Sequence, residues 1–359
     1  MEKLDIYCSR SFLEEWMKLL QAFKEDPFEN NDSEVWNKYF KMLKKGRIRI
    51  DLTKQELADE LRSNRILLGI YKQGTAEIKP AKESFEQLDR GAFDFENVHP
   101  SSLFLLNERT ASNENTSGRF GVILFPKEEI QDRAKWLFER YTREVGKREN
   151  IQEDQPWGFL RKFKRPINSM IIIDPYLFGN INEPPKRVLR RLKYNLTSIL
   201  EELLPVTELS NPFHLTIFTY YSKREENAMS LKMRRSRLEH YYHEVKSLIS
   251  SLGRSYPVKL SIVSTNHEDR LHDRHIITNY YWLSIGLGYN LFDKRGPVNY
   301  SHITINSIAS MEGQSMFEKL KKTMGLISGE TKKSLSKESG GNLYIGEKPF
   351  QNRLIEAFF

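Results

Sequence analysis

The chain has 359 residues, 39% of them hydrophobic, and a formal net charge of +8. This length predicts two domains, or one large domain with an addition, and the composition supplies a hydrophobic core. No stretch approaches the roughly 18 apolar residues of a membrane helix, and acidic residues interrupt the first apolar run, so we expect a cytoplasmic protein without a signal peptide. The single cysteine, Cys8, excludes an internal disulfide and a multi-cysteine zinc site, and we predict no metal and no cofactor.

Charge is divided unevenly along the chain. Residues 1–150 hold 26 Lys and Arg against 27 Asp and Glu, whereas residues 151–359 hold 30 against 21. The positive potential therefore belongs to the C-terminal part of the chain. It favours a polyanionic partner, such as nucleic acid, a nucleotide or an anionic membrane surface.

Residues 1–150 are predicted to form a mixed, mainly helical α/β domain of unknown role, and binding of a protein partner by this region stays open. Thr53 and Glu56 stand at the spacing of a capping box, which marks the start of a helix. The hydrophobic spacing predicts helices over 11–23, 32–46, 53–67 and 127–148 and strands over 47–52, 101–107 and 119–125. The polar run ENIQEDQPWG (149–158) is the best candidate for a linker.

Strands and helices alternate after this linker, which predicts an α/β sheet with helices on its faces. Strands are predicted over 169–178, 213–221, 258–265 and 301–308, with one or two more within 272–288. Helices are predicted over 184–205, 229–253 and 316–327. Residues 328–359 are predicted to be a flexible basic segment and a C-terminal tail, because their first half is rich in Ser, Gly and Lys.

One stretch of the C-terminal part, RLHDRHIITNYYWLSIGLGYNLF (270–292), combines polar groups at regular intervals. Its pattern is H-x-R-x4-N-x6-G-L-x-x-N, with the named positions at His272, Arg274, Asn279, Gly286, Leu287 and Asn290. On an alternating strand, His272 and Arg274 share one face, whereas His275 points to the other face and is expected to be structural.

This pattern resembles the H-x-K-x4-D-x6-G-S-x-x-N motif of the phospholipase D superfamily at every interval. Three identities differ, since Arg274 replaces lysine, Asn279 replaces aspartate and Leu287 replaces serine. The segment LHDRHI is especially similar to the divergent, non-catalytic branch typified by the C-terminal domain of MIT-containing proteins, which binds phosphoinositide membranes. The resemblance covers about residues 155–327 and implies an α/β fold with a phospholipase D-like sheet flanked by helices.

The resemblance also implies a chemistry. In active members the histidine attacks phosphorus while the lysine neutralises the nonbridging oxygens, which makes His272, Arg274 and Asn279 the catalytic candidates. Arg274 retains phosphate binding, whereas Asn279 lacks the negative charge of aspartate and Leu287 lacks a hydroxyl. Active members bring two motifs together, and this chain has one, so turnover requires a homodimer. These departures favour a phosphate-binding module for DNA or RNA, of the kind found in bacterial defence or mobile-element systems.

A basic cluster adds to the predicted phosphate-binding set. In KMRRSR (232–237), Lys232 and Arg235 lie three residues apart and share a helical surface. Together with Arg274, Gly286 and Asn290, they form the predicted phosphate-binding residues.

Three alternatives stay open. The first is a dimeric phosphodiesterase or nuclease with His272 as nucleophile, and the second is a membrane-surface module that binds anionic lipid headgroups. The third rests on HLTI (214–217) and HITI (302–305), which resemble the paired H-x-T motifs of 2H phosphoesterases. In that family two histidines act as base and acid on a cyclic phosphate or RNA.

Overall fold

The structure is a computed structural model. It describes residues 4–25, 31–81, 84–85, 93, 95, 98–107, 111–145, 157–179, 183–221, 227–265, 274–286, 288–293, 296–297, 300–310, 315, 318, 322, 325, 343–348 and 351–356. The chain divides into two compact units, the first being Met1–Glu139 with Ser307–Gln314 and the second Arg140–Asn306 with Ser315–Phe359.

The described part of the first unit contains a five-stranded parallel sheet in the order β3-β2-β1-β4-β5. Its strands are β1 (Asp5–Cys8), β2 (Arg47–Ile50), β3 (Glu77–Pro80), β4 (Leu103–Leu106) and β5 (Ile123–Pro126). Its helices are α1 (Arg10–Glu25), α2 (Asn31–Leu43), α3 (Lys54–Ser63), α4 (Arg65–Gln73), α5 (Ala111–Phe120) and α6 (Ile130–Phe138). Since the chain adds β2 and β3 on one side of β1 and then β4 on the other, the strand order reverses between β1 and β4.

The core of the first unit explains its parallel sheet. Every residue of β1, β4 and β5 is buried, as expected for strands covered on both faces. An aromatic cluster fills one part of this core, where Tyr7 stacks on Phe104 with ring centroids 4.5 Å apart. The unit is therefore a mixed α/β domain built on a parallel sheet, and more of its described residues lie in helices than in strands.

The second unit is built on an eight-stranded mixed sheet in the order β15-β9-β8-β7-β10-β11-β14-β6, counted over the described residues. These strands are β6 (Tyr141–Val145), β7 (Ser169–Ile173), β8 (Phe213–Tyr220), β9 (Val258–Thr265), β10 (Arg274–Thr278), β11 (Tyr281–Ile285), β14 (Ser301–Ser307) and β15 (Leu343–Gly346). A separate two-stranded ribbon pairs β12 (Phe292–Asp293) with β13 (Gly296–Pro297). The helices are α7 (Pro185–Leu203) and α8 (Leu231–Ser251), with a short helix at Arg353–Glu356 and a 3-10 helix at Gly158–Phe163, whereas the 3-10 turn at Lys127–Glu129 belongs to the first unit.

Strand direction places one set of loops together in the second unit. Strands β7, β8 and β9 are parallel, and β10 runs antiparallel to β7. The start of β10 therefore lies beside the end of β7, with His275 opposite Ile173. We call the region formed by the ends of β7, β8 and β9 and the start of β10 the carboxyl edge of this sheet.

The end of α6 and the placement of the C-terminal tail are seen only in the structure. The long helix predicted over 127–148 is wrong, because α6 ends at Phe138 and residues Tyr141–Val145 form β6. Residues 343–348 and 351–356, which the sequence assigns to the C-terminal tail, pack onto the second unit. There the buried Asn352 donates from its Nδ2 to the carbonyl of Met170 and to Thr216 Oγ1. Among the residues with described positions, no helix combines the length and apolarity that crossing a bilayer requires.

Candidate functional site

Arg274, the arginine of the motif, is the first residue of β10 at the carboxyl edge, and its side chain contacts Gly286, Asp174 and Tyr176. Its Nη1 donates a hydrogen bond of 2.7 Å to the carbonyl of Gly286. Its Nε lies 4.0 Å from Oδ1 of Asp174, the residue that follows β7. The guanidinium carbon lies 5.4 Å from the ring centroid of Tyr176, within the range of a cation–π contact. The side chain of Arg274 is therefore mostly buried within this edge, and 16% of it is exposed to solvent.

Asp174 is the buried acidic partner of this arrangement, and its side chain is 1% exposed. Its Oδ1 accepts from the backbone N–H of Tyr176 and its Oδ2 from that of Tyr289, both at 2.9 Å. Burial raises the pKa of Asp174 above its ordinary value, although the two N–H groups and the Arg274 charge oppose that rise. Gly288 has a φ of +93°, and a Cβ there would come within 3.1 Å of Asp174 Oδ2. A glycine is therefore required where this turn passes the carboxylate.

Asn290 joins the same region from the loop that follows β11. Its Nδ2 donates to the carbonyl of Leu177 at 3.1 Å. Its Oδ1 is buried and has no hydrogen-bond partner among the residues described. The structure therefore brings Arg274, Gly286 and Asn290 together around Asp174–Gly179, which we call the 174–179 turn.

Asn279 lies at the opposite end of β10. Its Oδ1 accepts from the backbone N–H groups of Asn168 and Ser169, at 3.3 and 3.1 Å, and its Nδ2 donates to Asn168 Oδ1. Five residues along a strand separate it from Arg274, a span of about 17 Å. Asn279 therefore fixes the start of β7 and does not reach the carboxyl edge. His272 and Leu287 lie outside the described residues.

His275 faces away from this cluster, as strand alternation predicts. Its Nδ1 lies 3.0 Å from Ser284 Oγ and accepts from Trp282 Nε1 at 2.9 Å. The imidazole also contacts the Trp282 ring edge-on, with centroids 4.8 Å apart. These contacts fit the structural role that the sequence predicts for His275.

A small cavity of about 50 Å³ lies at the same edge, between the ends of β7 to β9 and the first turns of α8. Arg237 lines it and donates from Nη2 to the carbonyl of Phe178 at 3.3 Å. Arg234 also lines it, with its guanidinium carbon 4.5 Å from the ring centroid of Tyr221. The Nε and Nη1 atoms of Arg234 are buried and make no hydrogen bond to any described residue. The cavity therefore presents buried cationic donors.

The inward-facing cations of α8 are thus not the pair that the sequence predicts. Lys232 and Arg235 are both exposed, and Arg235 Nε lies 3.3 Å from Glu239 Oε1 on the outer surface of the helix. The spacing of basic residues does not distinguish Arg234 and Arg237 from their neighbours on the helix. The buried positions of α8 do, because Arg234 lies four residues before the buried Leu238 and Arg237 lies four residues before the buried Tyr241.

The H-x-T interpretation is wrong, because the two histidines are far apart. His214 lies on β8 and His302 on β14, with β7, β10 and β11 between them, a separation of about 19 Å at the usual strand spacing. His214 is also buried, and its Nδ1 accepts from the backbone N–H of Arg353 at 3.2 Å. The pair cannot act as acid and base on one phosphate.

Comparison with known proteins adds no family assignment. No protein-family model matches the chain, and no curated protein matches it. The resemblance to phospholipase D-like domains therefore stays a prediction from motif spacing, beside the α/β architecture that the structure shows.

Proposed function

We propose that the second unit binds single-stranded nucleic acid at its carboxyl edge without hydrolysing it. In this proposal Arg234 and Arg237 bind backbone phosphates, and Tyr176 stacks on a base. The observation that carries the proposal is the guanidinium of Arg234, whose Nε and Nη1 are buried without a hydrogen bond to a described residue.

The energetics of Arg234 support an anionic ligand. A buried donor without an acceptor costs roughly 1–3 kcal/mol, and more where the group is charged. A phosphate offers several oxygens and accepts two parallel N–H bonds from one guanidinium. Tyr221 under Arg234 and the Phe178 carbonyl on Arg237 hold the two side chains in place. Binding a phosphate there would satisfy donors that the folded chain has already ordered.

The exposed ring of Tyr176 supports nucleic acid over free phosphate. Tyr176 is 47% exposed at the 174–179 turn, and Arg274 contacts its ring. Aromatic side chains beside cationic grooves are the usual platform for bases of single strands, each worth about 1–3 kcal/mol. In the same turn, the carbonyl of Leu177 accepts a hydrogen bond from Asn290, and the carbonyl of Phe178 accepts one from Arg237. The ring and the cavity therefore belong to one short stretch of chain.

The contacts of Arg274 support binding without turnover. The resemblance assigns Arg274 to the lysine that neutralises the attacked phosphate. In this chain its Nη1 donates to Gly286, and the buried carboxylate of Asp174 lies beside its Nε. A carboxylate at that position competes with phosphate for the guanidinium charge. Arg274 accordingly serves the 174–179 turn rather than a reacting phosphate.

The test is a matched pair of double variants on α8. Arg234→Gln with Arg237→Gln removes the inward charges, and Lys232→Gln with Arg235→Gln removes the same charge from the exposed surface. We expect the inward variant to weaken binding of labelled single strands of about 20 nucleotides at least tenfold, and the outer variant to weaken it by less than about threefold. Fluorescence anisotropy with DNA and RNA measures both. Equal losses from both variants would overturn the cavity as the site.

Three further measurements separate the alternatives. Tyr176→Ala should weaken binding of single strands about tenfold while leaving inorganic phosphate binding unchanged, because only a base can stack. Flotation with vesicles containing anionic phosphoinositides tests the lipid alternative, and vesicle binding that nucleic acid fails to displace would contradict the proposal. Hydrolysis of DNA, RNA or bis-p-nitrophenyl phosphate that His272→Ala abolishes would show an enzyme instead.

A further inference from the structure

The first unit has a larger cavity, of about 840 Å³, at the carboxyl ends of β1, β2 and β3. This volume lies within the range of roughly 300–1,000 Å³ that small-molecule sites occupy. Its polar lining comes from the residues after β1 and β2, which include Arg10, Ser11, Glu14, Asp51, Thr53 and Glu56. Ligands of open α/β sheets bind outside the carboxyl ends of the strands, near the point where the strand order reverses. The cavity lies outside the carboxyl ends of β1, β2 and β3, on the side of β1 away from β4, so it adjoins the reversal point at β1 only.

Asp51 is the fixed acidic group of this cavity. It follows β2 directly, and its Oδ1 accepts from the backbone N–H of Arg10 at 2.6 Å. Its Oδ2 accepts from the backbone N–H of Phe85 at 3.1 Å. These bonds join the β1–α1 turn and the segment after β3 to one carboxylate. A carboxylate held in this way is an oriented acceptor for ligand hydroxyl groups, since an ionised carboxylate accepts about four hydrogen bonds.

The charges around the cavity oppose a phosphate-rich ligand. Two cations line it, Arg10 and Lys54, against three carboxylates, Glu14, Asp51 and Glu56, a net charge of −1. The guanidinium of Arg10 already pairs with two carboxylates, because its nitrogens lie 2.8 Å from Glu14 Oε1 and 3.5 Å from Glu56 Oε1. The described residues also contain no cluster of His, Cys, Asp or Glu placed to hold a metal ion. A neutral ligand with hydroxyl groups fits this lining best.

Two further features narrow the ligand class. The chain passes from β1 into α1 through Ser9 without a glycine, so the backbone lacks the close approach that a pyrophosphate needs. An apolar wall of Leu52, Pro80 and Ala81 faces the same space. A flat, weakly polar group can lie against that wall while hydroxyl groups reach Asp51.

We infer that this cavity binds a nucleoside without phosphate groups. The vicinal hydroxyls of the ribose donate to the Asp51 carboxylate, and the base lies against Leu52, Pro80 and Ala81. This site is independent of the nucleic-acid site, because all of its residues belong to the first unit.

The test is calorimetric titration of the full chain with adenosine, guanosine, cytidine and uridine. We expect one of them to bind with a dissociation constant below about 1 mM, and its 2′,3′-dideoxy form to bind at least tenfold more weakly. Asp51→Asn should cause a similar loss, while Asp59→Asn, an exposed acid on α3, should leave the affinity unchanged. The dideoxy comparison uses the unaltered chain, so it stays informative if Asp51→Asn fails to fold. Absence of binding below about 5 mM, or affinity indifferent to the diol, would overturn the inference.

Discussion

His214 shows how burial fixes a protonation state at a single residue. Its Nδ1 accepts from the backbone N–H of Arg353, which requires a neutral ring. Burial lowers the pKa of His214 to about 4, and the charges of Arg353 and Lys259 lower it further in the same direction. In the unfolded chain a histidine takes up its proton near pH 6.5. The neutral ring is therefore a feature of the folded state across the interval between these two values.

This difference predicts a loss of stability in mild acid. Between pH 6.5 and pH 4 the His214 side chain is protonated in the unfolded chain and neutral in the folded chain. The free energy of unfolding therefore falls as pH falls through that window. From pH 7 to pH 5 we expect a contribution on the order of 2 kcal/mol. Guanidinium denaturation of wild type and His214→Gln at both pH values measures it, with exposed His302→Gln as the control. A His214→Gln protein with the full pH dependence would contradict this origin.

At the residue scale, the residues that motif spacing groups together do not all lie together in the structure. The interval pattern indicates a single pocket, and Arg274, Gly286 and Asn290 do lie around the 174–179 turn. Asn279 does not, because β10 is extended and carries its two ends about 17 Å apart. The partner of Arg274, Asp174, is an isolated acid at the end of an apolar strand. Its role depends on a contact distant in sequence, which spacing within one segment does not contain.

At the scale of elements, Asn64 sets the junction between α3 and α4. Its Oδ1 accepts from the N–H groups of Ile66 and Leu67, at 3.0 and 3.1 Å, while its own N–H donates to Glu60. The residue ends one helix and starts the next, although the apolar spacing predicts a single helix over 53–67. Periodicity continues through the junction, so only the cap distinguishes the two helices.

We expect Asn64→Ala to lower the free energy of unfolding by about 1–2 kcal/mol, because two buried N–H groups lose their acceptor. Asn64→Asp keeps an acceptor and should recover most of the loss. Ser63→Ala, at the exposed neighbouring position, provides the control. Denaturant midpoints with unchanged slopes measure the effect. An Asn64→Ala protein as stable as Ser63→Ala would show that the cap contributes little.

Apolar composition decides which strands the sequence reveals. The buried runs of β4, β5, β7, β8 and β9 are apolar enough to be predicted as strands. By contrast, β1 begins with Asp5, and β3 contains Glu77 and Lys79. The helix predicted over 127–148 continues past Phe138 because β6 alternates in a segment that also fits helical spacing. Pairing with β14 across the sheet, a long-range contact, decides in favour of a strand.

At the scale of the whole molecule, the two proposed sites should respond differently to salt. Nucleic-acid binding releases counterions, and its affinity should fall with a log–log slope of about −0.7 for each phosphate contacted on a single strand. The double variant Arg234→Gln with Arg237→Gln should reduce that slope by about 1.4. A neutral nucleoside releases no counterions, so its affinity should stay nearly constant. Titrations of both ligands across the same salt range measure this contrast, and a salt-independent affinity for nucleic acid would count against phosphate contacts.

The sequence predicts the α/β class of the chain and the alternation of its second half. It does not predict the fully parallel order β3-β2-β1-β4-β5, because strand order depends on which buried faces meet and periodicity reports only that a face is buried. The cavity beside Asp51 follows from that order. Arg10, Asp51 and Ala81, which follow β1, β2 and β3, are separated by 41 and 30 positions in the sequence, and only the parallel arrangement brings them to one edge.

The pairing of β15 with β9 has a consequence for how this chain behaves in solution. Without Leu343–Gly346, the backbone groups of β9 on that side would form an unprotected rim, and such rims recruit strands from other molecules. The fit is close, because a Cβ on Gly346 would meet the Leu260 carbonyl at 2.3 Å. The segment therefore covers an edge that could otherwise pair with another molecule, and deleting it should promote aggregation and also remove Leu343 from the lining of the small cavity.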